Sequence, residues 1–480
     1  MNVIIYQSIK YIQMHIIFQC LVLTLLIITS LSQSCLNSDG KEVDWWFILK
    51  MPLNRDDEWT GLEYFYCDSV DECKKFDLQD DDVNDSTSPL MKTLDQVNFS
   101  DTSVISMLWS DQPKHKVHHS NHAHSKGIMS ASLVGTKNAF IISHSTPRFP
   151  KLDDNGKVDT NVENNFPRNG QHFLCFSTTT DAINDDLADM YYQAEILIDQ
   201  VSSTPKKNTF LGTDKYTALQ NLWYSKLPGK GETRHRYSQD ADHSHTVFTT
   251  RGNQKFKVFA QNPKYGQDIY SELIVGELMQ NLIMETWVRR PKAAGLEKPV
   301  CDTYESSSNE KVSYSGKTAG GDTITFEYSY TKDHSKYGIT QPKEVASASK
   351  GGSFIATDYS HPSLNGQILV SGKHLRKKSL EEEDIQLGQG GGGGGETSSG
   401  MEVDTKPTTT KRKAGDDDDD DEDSAPPAKR KAAEKEDKYV CVSDLNRQES
   451  QWHRGGLVYC FYNEHLWKHI DTAFIGKDRC

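Results

Sequence analysis

Residues 376–437 limit how much of this 480-residue chain can fold. They contain "GQGGGGGGE", a Ser/Thr/Pro stretch, "KRKAGDDDDDDEDSAPPAKRK" and a Lys/Glu run. A segment so poor in apolar side chains buries too little surface to offset the entropy of ordering it, so a disordered loop is expected there. What remains suits one large domain or two fused halves. The basic triplets around the acidic run would read as a bipartite nuclear import signal in a cytosolic chain. Import machinery cannot reach a luminal loop, and the start of the chain points to export.

That start, "MHIIFQCLVLTLLIITSLSQS", has an apolar run from Ile16 to Ile28 and a small-x-small end at Ser32-Gln33-Ser34. It reads as a secretory signal peptide, residues 1–34, cleaved before Cys35, with Met14 as an alternative start. The other reading is a retained signal anchor, for which the run is short. No later stretch is apolar enough to span, so no stable membrane anchor is expected after cleavage. Removal of Cys20 leaves eight cysteines, an even number that in an exported chain argues for disulfides. Two sequons, Asn84-Asp85-Ser86 and Asn98-Phe99-Ser100, mark glycosylation candidates.

The formal charge is −14, but "DDDDDDED" (416–423) supplies eight negatives, leaving −6 for the rest. At neutral pH this is no electrostatic DNA binder. The 17 histidines change that: with all of them protonated, −14 becomes +3. A polyanionic partner is attracted far better in an acidic compartment.

"VDWWFILKMP" (43–52), "NAFIISHSTPRFP" (138–150), "GQHFLCFST" (170–178) and "YVCVSDLNR" (439–447) have buried-strand character. "DAINDDLADMYYQAEILI" (181–198) and "DIYSELIVGELMQNLIMETWV" (268–288) carry apolar residues at helical spacing. The mixture predicts an α/β or α+β globule.

One tripeptide occurs twice, His124-Ser125-Lys126 and His334-Ser335-Lys336. Side chains two apart share one face of a strand. An imidazole can attack phosphorus or donate a proton, and an ammonium can hold the non-bridging oxygens as charge builds. Two such pairs facing one phosphate could cleave a phosphodiester without a metal. Chance alone supplies roughly one or two His-x-Lys matches in a chain this rich in both, so the surroundings must decide.

Those surroundings are "CLNSDGKEVDWWFILKMP" (35–52), "WSDQPK" (109–114), "HSKGIM" (124–129), "HSTPRFP" (144–150), "GQHFLCFST", "FAQNPKYGQDIYS" (259–271), "DHSKYGIT" (333–340), "CVSDLNRQESQWHRGG" (441–456) and "LWK" (466–468). In this order, over nearly the whole mature length, they resemble the deoxyribonuclease II family of acid endonucleases. The resemblance implies a phospholipase D-like, two-lobed pseudo-dimer with mixed sheets flanked by helices. Its lobes would be residues 35–200 and 201–375, with 438–480 completing the second after the insert. It implies metal-independent cleavage of double-stranded DNA at acid pH to 3′-phosphate ends, in lysosomes or after secretion. No cofactor is implied, and nothing in the chain specifies an oligomeric state.

Carried over by position, the resemblance gives catalytic roles to His124, Lys126, His334 and Lys336. His124 is taken as the nucleophile, through a phosphohistidine-type intermediate, and His334 as the acid; the spacing is compatible with the reverse. Asp444 and Asn446 stand where a strand end orients the second pair, or where they simply cap a turn. His144 and Ser145 lie beside the first pair. The family also implies disulfides Cys35–Cys175, Cys301–Cys480 and Cys441–Cys460, leaving Cys67 and Cys73 as a local pair.

"HKVHHSNHAH" (115–124) lacks the fixed Cys or carboxylate spacing of a metal site and reads as a solvated loop that charges at low pH. "DHSH" (242–245) reads as surface. The gap between the second pair and "CVSDLNR", residues 341–440, is much longer than in the family. An acidic loop at a cleft rim would repel DNA and gate activity; it also reads as a protease-sensitive or misassigned segment. Two other functions remain, a catalytically silent secreted homologue that binds nucleic acid or a cell-surface partner, and a lipid phosphodiesterase. The intact pairs argue against the first, the family-specific blocks against the second.

Overall fold

Every residue of strand β1 (Trp45–Lys50) is buried, because both faces of the strand are covered. Trp45, Phe47 and Leu49 enter one core and Trp46 and Ile48 another, so the period-2 alternation separates two apolar layers rather than core from solvent. The structure, a computed structural model, describes residues 13–19, 33–113, 122–159, 166–202, 210, 213–225, 241–287, 304–341 and 437–477. The insert 376–437, apart from its last residue, lies outside the described residues, as does most of the signal segment.

The first sheet joins β1 to β2 (Tyr64–Asp68), β3 (Asp77–Leu78), β4 (Val104–Ser110), β5 (Lys126–Ser132), β6 (Asn138–His144), β7 (Gln171–Thr179) and β8 (Ile198–Val201). Their order is β8-β4-β5-β6-β7-β1-β2-β3, with every pair antiparallel. The second sheet contains β9 (His243–Thr249), β10 (Lys255–Gln261), β11 (Asn281–Thr286) and β12 (Ser306–Asn309). After a separate hairpin, β13 (Lys311–Lys317) and β14 (Thr323–Ser329), it adds β15 (Lys336–Gln341), β16 (Tyr439–Ser443) and β17 (Gly456–Tyr462). Its order is β9-β10-β17-β16-β15-β11-β12, and only β11–β12 is parallel. The architecture is mixed α/β, as the sequence predicts, with antiparallel pairing dominant.

The sheets pack face to face. Trp45 meets Phe461 with ring centroids 5.0 Å apart, Phe176 meets Tyr459 at 5.6 Å, and Phe47 meets Tyr337 at 6.2 Å. Helix Pro89–Leu94, capped by Ser88, covers the outer face of the first sheet with Leu90, Met91 and Leu94. Tyr270–Ile274 and Val275–Leu278 cover that of the second with Tyr270, Leu273, Ile274 and Leu278.

Two expected helices end early. In 268–288 the helix stops at Leu278, Met279 takes a left-handed φ of 54°, and Asn281–Thr286 is strand β11. Ile283 faces the inter-sheet core while Leu282 and Met284 face the outer layer, a two-residue alternation that a helical reading of this apolar run misses. In 181–198 the helix ends at Gln193 and β8 begins at Ile198.

Cys35–Cys175, Cys67–Cys73 and Cys441–Cys460 are disulfide-bonded, the last across directly paired residues of β16 and β17. Cys301 and Cys480 lie outside the described residues. No helix among the described residues is long and apolar enough to cross a membrane.

Candidate active site

Lys126 is the first residue of β5 and Lys336 the first of β15. The two histidines stand two residues earlier, outside the strands, where the sheets do not supply backbone partners. Each partner comes from the other half of the chain. The His124 amide donates to the Gly455 carbonyl and the His334 amide to the Gly170 carbonyl, both at 2.9 Å. Both glycines are required by close approach. A Cβ on Gly455 would lie 1.7 Å from the Ala194 carbonyl oxygen, and one on Gly170 would lie 2.7 Å from the Asp333 carboxylate. This reciprocal exchange brings the two tripeptides together, so that the Lys336 charge acts on His124 and the Lys126 charge on His334.

The lysines are buried and the histidines half-buried, so the ammonium groups form a floor and the imidazoles a mouth. Lys126 Nζ is 2.6 Å from Asp111 Oδ1, and Asp111 Oδ2 accepts from Arg454 at 2.8 Å. One buried carboxylate thus holds two cations and leaves the cluster net positive. Arg454 also donates to the His122 carbonyl at 3.1 Å, tying the chain ahead of His124 to the second half. Lys336 Nζ donates to the His334 carbonyl at 2.6 Å, and the Lys336 amide donates to His172 Nδ1 at 2.9 Å. Ser125 accepts from Trp109 Nε1 at 2.9 Å, while Ser335 donates its amide and hydroxyl to Asp333.

Asp444 joins the halves. Its carbonyl oxygen is 2.8 Å from His124 Nδ1, and its carboxylate accepts from the Leu457 amide at 3.1 Å and from Ser125. The expectation set Asp444 beside the second pair; its hydrogen bonds instead run to the first. Asn446 is buried, its carbonyl accepts from the Gln448 amide at 3.0 Å, and its Oδ1 has no partner among the described residues. His144 is buried against Phe149 and Phe173, with Nδ1 accepting from the Thr146 amide at 3.2 Å. The neighbouring Ser145 donates to Gln171.

Burial controls the titration of this cluster. It drives His124 well below its ordinary range, with the Lys126 charge adding to the effect and Asp111 opposing it. Burial and then Lys336 and Lys126 bring His334 to about 3. Lys336 falls to about 7 through burial and the nearby Lys126, while burial raises Asp444 to about 7 against Ser125, Leu457 and both lysines. Burial and Lys126 hold His144 at about 3.

His115, His118 and His119 lie outside the described residues. His243 and His245 are on edge strand β9, half-buried and exposed respectively, the former beside Asp242. Asn84 and Asn98 are half-buried, and Asn98 Oδ1 accepts the Ser100 amide at 2.9 Å. Among the described residues, no three His, Cys, Asp or Glu are grouped to hold a metal ion. Asp111, Arg454, His172 and Asp333 were given no role by sequence reasoning, although each sits inside a motif block or directly beside a histidine of the pair.

The chain matches the profile of the family described as Deoxyribonuclease II over residues 34–350 and 428–480, with the interval between them unmatched. It is 26% identical over 318 residues to deoxyribonuclease-2-alpha of Rattus norvegicus, covering 63% of this chain and 80% of the relative. It is 27% identical over 315 residues to a putative deoxyribonuclease-2 of Burkholderia pseudomallei (strain 1710b), with the same coverages. It is 28% identical over 268 residues to deoxyribonuclease-2-beta of Homo sapiens, covering 54% of this chain and 67% of the relative. The chain belongs to the deoxyribonuclease II family and is a nuclease.

Proposed function

We propose that the protein is a metal-independent acid endonuclease that cuts double-stranded DNA to 3′-phosphate ends through His124, Lys126, His334 and Lys336. One observation carries the division of labour. A carbonyl oxygen only accepts, so the 2.8 Å contact to Asp444 requires the proton on His124 Nδ1 and leaves the lone pair on Nε2. His124 Nε2 attacks phosphorus, the P–O5′ bond breaks, and the departing oxygen takes the proton of His334. Lys126 and Lys336 stabilise the charge on the non-bridging oxygens. His334 then removes a proton from water, whose oxygen attacks phosphorus and breaks the N–P bond, releasing the 3′-phosphate.

Acid favours this sequence in two ways. As pH falls through about 7, Lys336 gains its charge and Asp444 loses its own, so the site becomes more positive towards a phosphodiester. The bound anion in turn favours protonation of His334, whose pKa in the free site is about 3. The working compartment is the lysosome or the extracellular space, after loss of residues 1–34 and with glycans at Asn84 and Asn98.

Plasmid nicking at pH 5 in EDTA tests the reading, with His124→Ala and His334→Ala alongside the wild type. Each substitution is expected to lower the rate by on the order of 10³-fold or more. A requirement for added metal, or variants as active as the wild type, would overturn it.

A further inference from the structure

We propose that Arg168 binds the DNA phosphate adjacent to the scissile one, and that Lys50 is the positioning residue that holds it there. The inference rests on the nuclease reading above and adds a substrate contact to it.

Lys50, the last residue of β1, is fully buried, and no carboxylate lies within ion-pair distance of it among the described residues. Its ammonium donates instead to the carbonyls of Met51 at 2.9 Å, Gly61 at 2.8 Å and Asn169 at 2.7 Å, with that of Pro167 at 3.4 Å. It also lies 5.5 Å from the centroid of the Phe166 ring. A buried cation is tolerated only when its donors are satisfied, so this carbonyl cage is a clamp. Two of the clamped carbonyls, Pro167 and Asn169, flank Arg168. The Pro167 carbonyl also accepts from the Leu53 amide at 3.0 Å, and the next residue, Gly170, accepts the His334 amide. The backbone on both sides of Arg168 is therefore tied to the core and to the catalytic cleft.

The Arg168 side chain is exposed and makes no hydrogen bond or ion pair among the described residues. It stands two residues before Gly170, whose carbonyl holds the His334 amide, and so on the acid's side of the mouth. There the half-buried Trp287 ring lies 4.5 Å from His334. The tied backbone adds no ordering cost of its own on binding, and the planar guanidinium matches the geometry of a phosphate. The floor lysines already account for the scissile group, so the ligand of Arg168 is a neighbouring phosphodiester.

The test measures KM for a DNA duplex as a function of salt, beside turnover of a small diester, bis(p-nitrophenyl) phosphate, that has no flanking phosphate. Arg168→Ala is expected to raise KM for DNA several-fold and to reduce the salt slope by about 1, with KM for the small diester unchanged. Arg168→Lys should retain the slope. Lys50→Met, if folded by its melting curve, should lose the same slope with Arg168 still present. If it does not fold, the two Arg168 variants decide the matter. An unchanged slope in an active Arg168→Ala enzyme, or equal loss on both substrates, would overturn the proposal alone. A wild type inactive on both substrates would overturn the nuclease reading and this proposal with it.

Discussion

His124 Nδ1 and the Asp444 carbonyl oxygen are 2.8 Å apart across 320 residues of sequence. The contact sets the tautomer of one residue by the backbone of another, so His124 needs no carboxylate partner to point its lone pair outward. Burial, with the Lys126 charge beside it, favours the neutral ring in the free enzyme. Long-range ¹⁵N–¹H spectra at pH 5 should therefore show His124 as the neutral Nδ1–H form. A doubly protonated ring under those conditions would remove it as the nucleophile.

Asp444→Asn should flatten the pH dependence of DNA binding. In the wild type, rising pH both charges Asp444 and discharges Lys336 near pH 7, and the variant retains only the second change. KM at pH 7.5 should fall relative to the wild type, with little difference at pH 5. Equal pH profiles would show that Asp444 does not titrate in this range.

Stability should follow the same groups. Asp444 is raised from 3.8 to about 7 on folding, so its contribution is intact below 3.8 and is lost as pH rises through 7. Lys336 falls from 10.5 to about 7, so its contribution is lost as pH falls from 10.5 through 7. Melting of Asp444→Asn against the wild type should shift in the variant's favour between pH 4 and pH 7.5. A constant difference across that window would contradict the assignment.

Asp111→Asn should be severe, because it leaves Lys126 and Arg454 buried without their shared carboxylate. Removing one partner of such a cluster costs roughly 3–5 kcal/mol, measurable by urea unfolding. Arg454→Met should cost less, since Asp111 keeps Lys126. A loss under about 1 kcal/mol in Asp111→Asn would mean that the cluster is solvated.

A chain lacking residues 376–437 should fold. The strands that bracket the long gap, β15 and β16, pair directly through Tyr337 with Val442 and Ile339 with Val440, and the Tyr439 amide donates to Thr340 Oγ1 at 3.0 Å. Shortening a loop between ends already joined changes closure entropy by only about 1 kcal/mol. If the acidic run gates the cleft, the shortened enzyme should be faster on DNA, most of all at low salt. Equal rates across pH and salt would sink the gating idea while leaving the folding prediction intact.

Local chemistry determined what the sequence by itself could specify. The unbroken apolar run of "DWWFILK" marks a buried strand, the even cysteine count argues for disulfides, and the blocks around the repeated His-Ser-Lys mark the family. It did not determine where the helix in 268–288 stops, because Leu282, Ile283 and Met284 satisfy a helical and a strand period alike until β15 is beside them. Nor did it determine which residues serve the pairs. Asp111 matters because Arg454 arrives from the other half, and Lys50 because the carbonyls of Pro167 and Asn169 close over it. Gly455 and Gly170 matter because each lets one half's backbone reach the other's histidine. Those are distances between segments remote in the chain, and only packing the two sheets against each other creates them.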